Sequence, residues 1–156
     1  MIPEPKLSHL YQEVILDHNR RPRNFGEMPD ATVRARGVNP LCGDDYQIFL
    51  EINPAGEIQA VRFLGSGCAI SKASASILTE MIRGKDTGYC DHLKNEFIRF
   101  MTQDKVPPAM TEAVGKLKLF EGVKEFPVRV KCATLIWHVL EEALKSLPEK
   151  KEGGRS

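Results

Sequence analysis

A β-hairpin in the first half of the chain constrains the fold more than any other local feature. Two segments with strand-type patterns, 46–52 and 57–64, are separated by the tetrapeptide Asn-Pro-Ala-Gly at 53–56. Proline at the second position and glycine at the fourth are typical of a type I turn, which can join two antiparallel strands. A third strand-type segment, 32–38, precedes the hairpin, so we expect three consecutive strands.

Helical patterns flank these strands on both sides. Apolar residues recur at spacings of three and four in 6–20, and helical segments follow the hairpin at 71–83, 89–102, 110–119 and 128–147. A helix, then strands, then helices is the order of an α+β fold. We therefore expect a small antiparallel three-stranded sheet with helices packed on one face.

The composition indicates an ordinary globular protein. The chain has 156 residues, of which 42% are hydrophobic and 28% are charged, and a chain of this size can bury a core without disulfides. The sequence predicts one domain over 1–147 and a polar C-terminal tail over 148–156. A formal net charge of +1, with no long basic run, argues against nucleic-acid binding.

The first residues and the apolar runs predict a cytoplasmic location without a membrane partner. The N-terminal residues lack the apolar stretch and the small cleavage residues of a signal peptide, and no apolar run approaches the length of a membrane span. In a reducing cytoplasm, cysteines are expected to be ligands, nucleophiles or core residues rather than disulfides. The chain has four of them: Cys42, Cys68, Cys90 and Cys132.

Cys42 and Asp44 form the strongest candidate pair of metal ligands. Pro40 and Gly43 mark this segment as a loop between two strands, where a cysteine is less expected to fill the core. Gly43 allows the backbone to turn sharply, so Asp44 can point to the same centre as Cys42. We favour a functional thiol at Cys42, with a purely structural role as the alternative.

Cys68 and Cys132 are the other two candidate ligands. Cys68 follows Gly-Ser-Gly at 65–67 and opens a helix, whose free N–H groups and positive end favour a thiolate. Close packing at a sharp turn is the alternative for Cys68. Cys132 follows Lys131, a cation that would stabilise a thiolate, although a lone cysteine is commonly a buried core residue. Cys90 has no such neighbours and is expected to be structural.

Three thiolates and one carboxylate could form a four-coordinate tetrahedral zinc site. Only the fold could assemble it, because 25 residues separate Cys42 from Cys68 and 63 separate Cys68 from Cys132. Asp44 would be a harder and more exchangeable ligand than a fourth thiolate. A Cys/His hydrolase is a weaker alternative, since none of the histidines is adjacent to a cysteine: His9, His18, His92 and His138.

Five segments of the sequence together resemble a known family: 11–18, 21–24, 39–44, 65–76 and 129–135. They include Cys-Gly-Asp at 42–44, Gly-Ser-Gly-Cys at 65–68 and Lys-Cys-Ala at 131–133. In combination they are similar to the NifU N-terminal, IscU and SufU group of iron–sulfur cluster assembly proteins, over roughly 7–147. The chain resembles the SufU branch in particular. Lys131 stands where IscU-type scaffolds carry a histidine, and 126–130 replaces their chaperone-binding Leu-Pro-Pro-Val-Lys stretch.

This resemblance implies a metal site and a set of partners. It implies Zn²⁺ held by Cys42, Asp44, Cys68 and Cys132, and a SufS-type, pyridoxal-phosphate-dependent cysteine desulfurase that carries a persulfide. Cys42 would be the catalytic thiol that accepts the sulfur, in a relay that acts with the desulfurase rather than as a free-standing enzyme. A downstream iron–sulfur scaffold would receive the sulfur, and the chain is expected to be a monomer.

Two alternatives to the sulfur relay stay open at this point. The same four ligands could assemble a transient [2Fe–2S] cluster, which would make the protein a scaffold. A structural zinc domain that binds a protein partner is the third interpretation. Arg129 and Lys131 are candidate electrostatic supports for the site, and for Arg129 a solvated position at the helix start is equally expected.

Overall fold

The chain folds as one helix, three strands and a helical second half. A computed structural model describes residues 5–147, with side chains from residue 11 onward. The elements in chain order are α1 (Pro5–Arg20), β1 (Val33–Asn39), β2 (Asp44–Ile52), β3 (Ile58–Ser66), α2 (Ala69–Ile82), α3 (Thr87–Thr102), α4 (Pro108–Val114), a 3₁₀ helix (Gly115–Glu125) and α5 (Pro127–Lys145). The expected polar tail at 148–156 lies outside the described residues. Within 5–147, no helix is both long and apolar enough to cross a membrane.

The three strands form an antiparallel sheet in the order β1-β2-β3, which confirms the α+β prediction. The turn between β2 and β3 is closed by a hydrogen bond of 2.9 Å from the Gly56 N–H to the Asn53 carbonyl. Gly56 has a φ of 85°, which glycine adopts without a steric penalty. At the opposite end of the sheet, Asn39 of β1 pairs with Asp44 of β2. The short connection at 40–43 therefore lies at that end.

Helices cover one face of the sheet, as the sequence predicts. Alternate side chains of β2, namely Tyr46, Ile48 and Leu50, are fully buried on this face. Helix α5 packs across β1 and β2, and α2 packs against β3. Gly37 of β1 permits the close approach of α5, because a Cβ atom at this position would lie 2.6 Å from Cγ2 of Val139. The helix can pack this closely on the sheet because Gly37 has no side chain.

The loop after α1 fastens that helix and covers the outer edge of β3. The backbone N–H of Arg23 donates to Ser76 Oγ at 2.8 Å, and the same hydroxyl lies 2.7 Å from His18 Nδ1. The Asn24 carbonyl accepts from the Phe63 N–H at 3.0 Å, and the Gly26 N–H donates to the Phe63 carbonyl at 2.8 Å. These bonds satisfy backbone groups that an open sheet edge would leave unpaired.

The predicted helix at 110–119 is wrong in part. The α-helix ends at Val114, and the chain continues as a 3₁₀ helix from Gly115, which has a φ of 55°. Leu117, Phe120 and Val123 are buried and recur every three residues. A spacing of three places side chains on one face of a 3₁₀ helix, which has three residues per turn. Over so short a segment, apolar residues spaced at 3.6 per turn, as in an α-helix, are hard to distinguish from residues spaced at 3.0 per turn, as in a 3₁₀ helix.

We expect the substitution Gly37→Ala to destabilise the protein by about 1–3 kcal/mol, the usual cost of forcing atoms into a close-packed contact. The added methyl group would collide with Val139 and push α5 away from the sheet. Urea denaturation of the purified protein measures the loss. Gly122→Ala is the matched control, since a Cβ atom there meets nothing within 4 Å. Equal stability of the two variants would contradict the close approach of α5 to β1.

Candidate metal centre

Three of the four predicted ligands meet at the end of the sheet that carries the 40–43 connection. Cys42 lies in this connection, Asp44 is the first residue of β2, and Cys132 lies in α5. One ligand atom from each lies within 4.8 Å of the other two. The two sulfur atoms of Cys42 and Cys132 are 2.8 Å apart, and both cysteines are free thiols. The fold thus unites residues that are 90 positions apart in the sequence.

A tight turn presents Cys42 and Asp44 on the same side. The N–H groups of Cys42 and Gly43 both donate to the Asn39 carbonyl, at 3.1 and 2.9 Å. Gly43 has a φ of 73°, in the left-handed region where glycine carries no steric cost. The expected sharp turn at Gly43 is confirmed. Cys42 remains half-buried on this turn, whereas Asp44 is buried.

Cys68 adjoins this group, but its sulfur is not among the three ligand atoms that lie within 4.8 Å of one another. It is the N-cap residue of α2, where its Sγ accepts from the Ser71 N–H at 3.4 Å. Its own N–H donates to Asp44 Oδ1 at 3.1 Å. The predicted position of Cys68 at a helix start is confirmed, and its backbone is bound directly to the candidate ligand Asp44.

The carboxylate of Asp44 is buried with one oxygen satisfied and one free. The residue is only 1% exposed. Its Oδ1 accepts from the Cys68 N–H and from the Ser71 hydroxyl, each at 3.1 Å. Its Oδ2 has no hydrogen-bond partner among the described residues. A buried carboxylate oxygen without a donor is costly, and a bound cation is one way in which proteins offset that cost.

The surroundings of the Cys132 thiol oppose its ionisation. Burial raises the pKa of the Cys132 thiol, and its contacts with Cys42, Cys68 and Asp44 raise it further. A bound cation reverses this effect, because it favours the thiolate forms of its ligands. A group of sulfur atoms with one carboxylate oxygen also suits zinc, which prefers such donors in a tetrahedral arrangement. The residues present therefore fit a zinc ion.

Ser71 and Tyr46, which sequence patterns did not indicate, lie next to Asp44 in a chain of hydroxyl groups. The Ser71 hydroxyl lies 3.1 Å from the Tyr46 hydroxyl. Burial raises the pKa of Tyr46 to about 12, so its hydroxyl stays protonated at neutral pH. A Cβ atom at Gly67 would come within 2.6 Å of Ser71 Oγ and 2.9 Å of the Tyr46 hydroxyl. In the sequence, the only local signal for this arrangement is that Ser71 lies three residues after Cys68.

The other candidates whose side chains are described do not belong to this metal-type group, and the His9 side chain lies outside the described residues. Cys90 is fully buried in the core, and burial raises its pKa to about 12, as a structural thiol would show. His18 is buried against Ser76, while His92 and His138 are exposed. Among the described residues, no histidine belongs to the metal-type group. Arg129 and Lys131 are both exposed.

We expect mild oxidation of the metal-free protein with diamide to join Cys42 to Cys132. Their sulfur atoms are already 2.8 Å apart, so the disulfide needs little movement of the chain. Mass spectrometry of peptides after alkylation identifies the pair, and the buried Cys90 serves as the internal control that stays reduced. A different principal crosslink, such as Cys42 to Cys68, would contradict the arrangement of the thiols.

Known proteins resemble this chain over most of its length. The sequence family described as NifU-like N terminal domain matches residues 10–133. The chain is 37% identical over 149 residues to the zinc-dependent sulfurtransferase SufU of Bacillus subtilis, covering 95% of both proteins. It is 38% identical over 140 residues to the iron–sulfur cluster assembly scaffold protein IscU of Streptococcus pyogenes, covering 90% of this chain and 86% of that protein.

Solved structures share the fold. A candidate iron–sulfur cluster assembly scaffold protein for the SUF system, from Fervidobacterium islandicum, superposes with a TM-score of 0.79 at 31% identity, covering 88% of this chain and 98% of that one. The N-terminal part of a NifU-like protein from Brucella abortus superposes with a TM-score of 0.78 at 18% identity, which supports the fold alone. The chain therefore belongs to the NifU-like N-terminal domain family, together with the iron–sulfur cluster assembly proteins IscU and SufU.

Proposed function

We propose that this protein is a zinc-dependent sulfur acceptor in iron–sulfur cluster assembly, and that Cys42 takes the sulfur from a cysteine desulfurase. The observation that carries the proposal is the unequal exposure of two thiols in contact. Cys132 is fully buried, whereas Cys42 lies half-buried on a loop at the end of the sheet. Of these two cysteines, only Cys42 exposes surface that a partner protein could reach.

Cys42, Asp44, Cys68 and Cys132 would hold the zinc ion. When bound, zinc would keep the thiols deprotonated at neutral pH, which is the form that reacts. The unpaired Oδ2 of Asp44 supports this assignment, as does the zinc-dependent relative from Bacillus subtilis. Asp44 is a harder ligand than the three sulfur atoms, so its position is the one that we expect to exchange.

The sulfur-transfer step is a thiol–persulfide exchange. The Cys42 thiolate attacks the terminal sulfur of the partner's cysteine persulfide, and a new S–S bond forms on Cys42. The S–S bond of the partner's persulfide breaks, and the partner's cysteine leaves as a thiolate that takes up a proton from solvent. No external oxidant or reductant is consumed. The exposed cations Arg129 and Lys131 would attract the negatively charged persulfide towards the site.

The proposed partner is a SufS-type, pyridoxal-phosphate-dependent cysteine desulfurase. Exposed apolar side chains on the Cys42 loop and at the start of α5, the helix that carries Cys132, support docking of a protein. Leu41, next to Cys42, is 67% exposed, and Phe126 and Val128 at the start of α5 are 55% and 48% exposed. We further propose that the domain spans 1–147 and acts as a cytoplasmic monomer. A downstream iron–sulfur scaffold would accept the sulfur.

A scaffold for a transient [2Fe–2S] cluster is the second candidate function. The Streptococcus pyogenes relative favours it, because that protein is named a scaffold and is 38% identical to this chain. Three thiols and a carboxylate could hold such a cluster as cargo, although four cysteines are the more common ligands. Lys131 argues for the relay. In the family resemblance, IscU-type scaffolds carry a histidine at the position that Lys131 occupies in this chain.

Metal and acid-labile sulfide content distinguishes the two functions. We expect the protein, purified without oxygen, to contain about one zinc ion per chain and no sulfide, because the four ligands would form one tetrahedral site. Elemental analysis and a colorimetric sulfide assay provide the measurement. Iron and sulfide in equal amounts would favour the scaffold function instead.

We expect Cys42→Ala to abolish sulfur acceptance from a cysteine desulfurase, since Cys42 supplies the attacking thiolate. Transfer of ³⁵S from labelled cysteine to the protein is the measurement, with the desulfurase alone as the background. Cys90→Ala is the matched control, because it removes a thiol that is buried in the core and does not belong to the metal-type group. Labelling of the Cys42 variant at the level of the unsubstituted protein would refute the assignment.

A further inference from the structure

We propose that Ser71 is a positioning residue that holds Asp44 as a ligand through a single oxygen, and that Tyr46 orders the Ser71 hydroxyl. This inference rests on the proposed function, because it concerns how the chain prepares its zinc ligand. It adds two side chains to the site, neither of which offers a ligand atom of its own.

The hydrogen bonds to Asp44 decide which of its oxygens is available. Oδ1 accepts from two donors, the Cys68 N–H and the Ser71 hydroxyl, both at 3.1 Å. Oδ2 accepts from no described residue. Two donors on one oxygen fix the rotation of the carboxylate and weaken that oxygen as a metal ligand. The carboxylate is therefore prepared to bind a cation through Oδ2 alone.

The chain of hydroxyl groups has a definite direction. The Tyr46 hydroxyl lies 3.1 Å from Ser71 Oγ, and a tyrosine hydroxyl carries its proton at neutral pH, so it can donate to that oxygen. The hydrogen of Ser71 is then left for Asp44 Oδ1, or for the Cys68 carbonyl at 3.0 Å. Asp44 is the stronger acceptor because hydrogen bonds to a carboxylate are charge-assisted. Tyr46 thus donates to Ser71, and Ser71 donates to Asp44.

Two features separate this role from ordinary helix capping. The Cys68 sulfur already caps α2 by accepting from the Ser71 N–H, so the cap does not need the Ser71 hydroxyl. The absence of a side chain at Gly67 leaves room for the hydroxyl to approach Asp44.

If Asp44 turned away from the metal, the Ser71 hydroxyl could donate to the Cys68 carbonyl instead. Exchange of Asp44 would therefore leave Ser71 with a hydrogen-bond acceptor.

The first test compares zinc affinities by competition with a chromophoric chelator, using the full chain. We expect Ser71→Ala to weaken zinc binding by about 10- to 100-fold, the usual effect of removing a hydrogen bond that orients a metal ligand. Tyr46→Phe should give a smaller loss in the same direction, and it provides the test if the Ser71 variant folds poorly. Ser76→Ala is the matched control on the same helix. Its hydroxyl is bound to His18 and Arg23, so zinc affinity should not change.

A double-mutant cycle with Asp44→Ala separates positioning from a general structural effect. If Ser71 acts through Asp44, Ser71→Ala will cause no further loss of zinc affinity in the Asp44→Ala protein. The visible absorption spectrum of the Co²⁺-substituted protein should change in Ser71→Ala and stay unchanged in Ser76→Ala, because the spectrum reports the ligand geometry.

Three results would overturn the inference, and they are distinguishable. Failure of the unsubstituted protein to bind zinc would refute the proposed function, and the role of Ser71 with it. Zinc binding by the unsubstituted protein, together with equal affinities in Ser71→Ala and Tyr46→Phe, would overturn the role of Ser71 alone. A loss from Ser71→Ala that persists in the Asp44→Ala background would show that Ser71 acts through the helix rather than through Asp44.

Discussion

The packing of α5 on β1 and β2 is the contact on which the candidate site depends. Gly37 leaves space that Val139 of α5 occupies, so the helix approaches the sheet closely. The same helix carries Cys132, and the close approach brings this thiol to the loop of Cys42, where the two sulfur atoms are 2.8 Å apart. The site thus lies at the junction between the sheet and helix α5.

Asp44 is the feature of this junction that most favours a cation. Its carboxylate is buried, and donors from the first turn of α2 satisfy only one of its oxygens. Burial and the neighbouring groups also raise the pKa of Cys132. A buried carboxylate oxygen without a donor is costly, and a nearby cation favours a thiolate, so a bound cation would relieve both features. The arrangement is more readily explained by a cation site than by packing alone.

Local sequence patterns predicted most elements because they report local backbone preferences. The turn at 53–56 and the reversal at Gly43 each depend on a few adjacent residues, and both are confirmed. The segment 115–125 was predicted incompletely, because the change from a spacing of 3.6 to a spacing of three is small over eleven residues. The role of Ser71 was missed, since a serine near the start of a helix is usually only a capping or surface residue.

By itself, the sequence determined the α+β class, the hairpin, and the identity of the candidate donors at positions 42, 44, 68 and 132. Only the tertiary structure decided which donors meet. It united Cys42, Asp44 and Cys132, left the Cys68 sulfur outside that closest group, and placed the Ser71 hydroxyl on Asp44. The physical reason is that turns and helix starts are set by neighbouring residues, whereas contacts between distant segments depend on how helices pack on the sheet. Such packing is fixed by the shapes of many side chains at once.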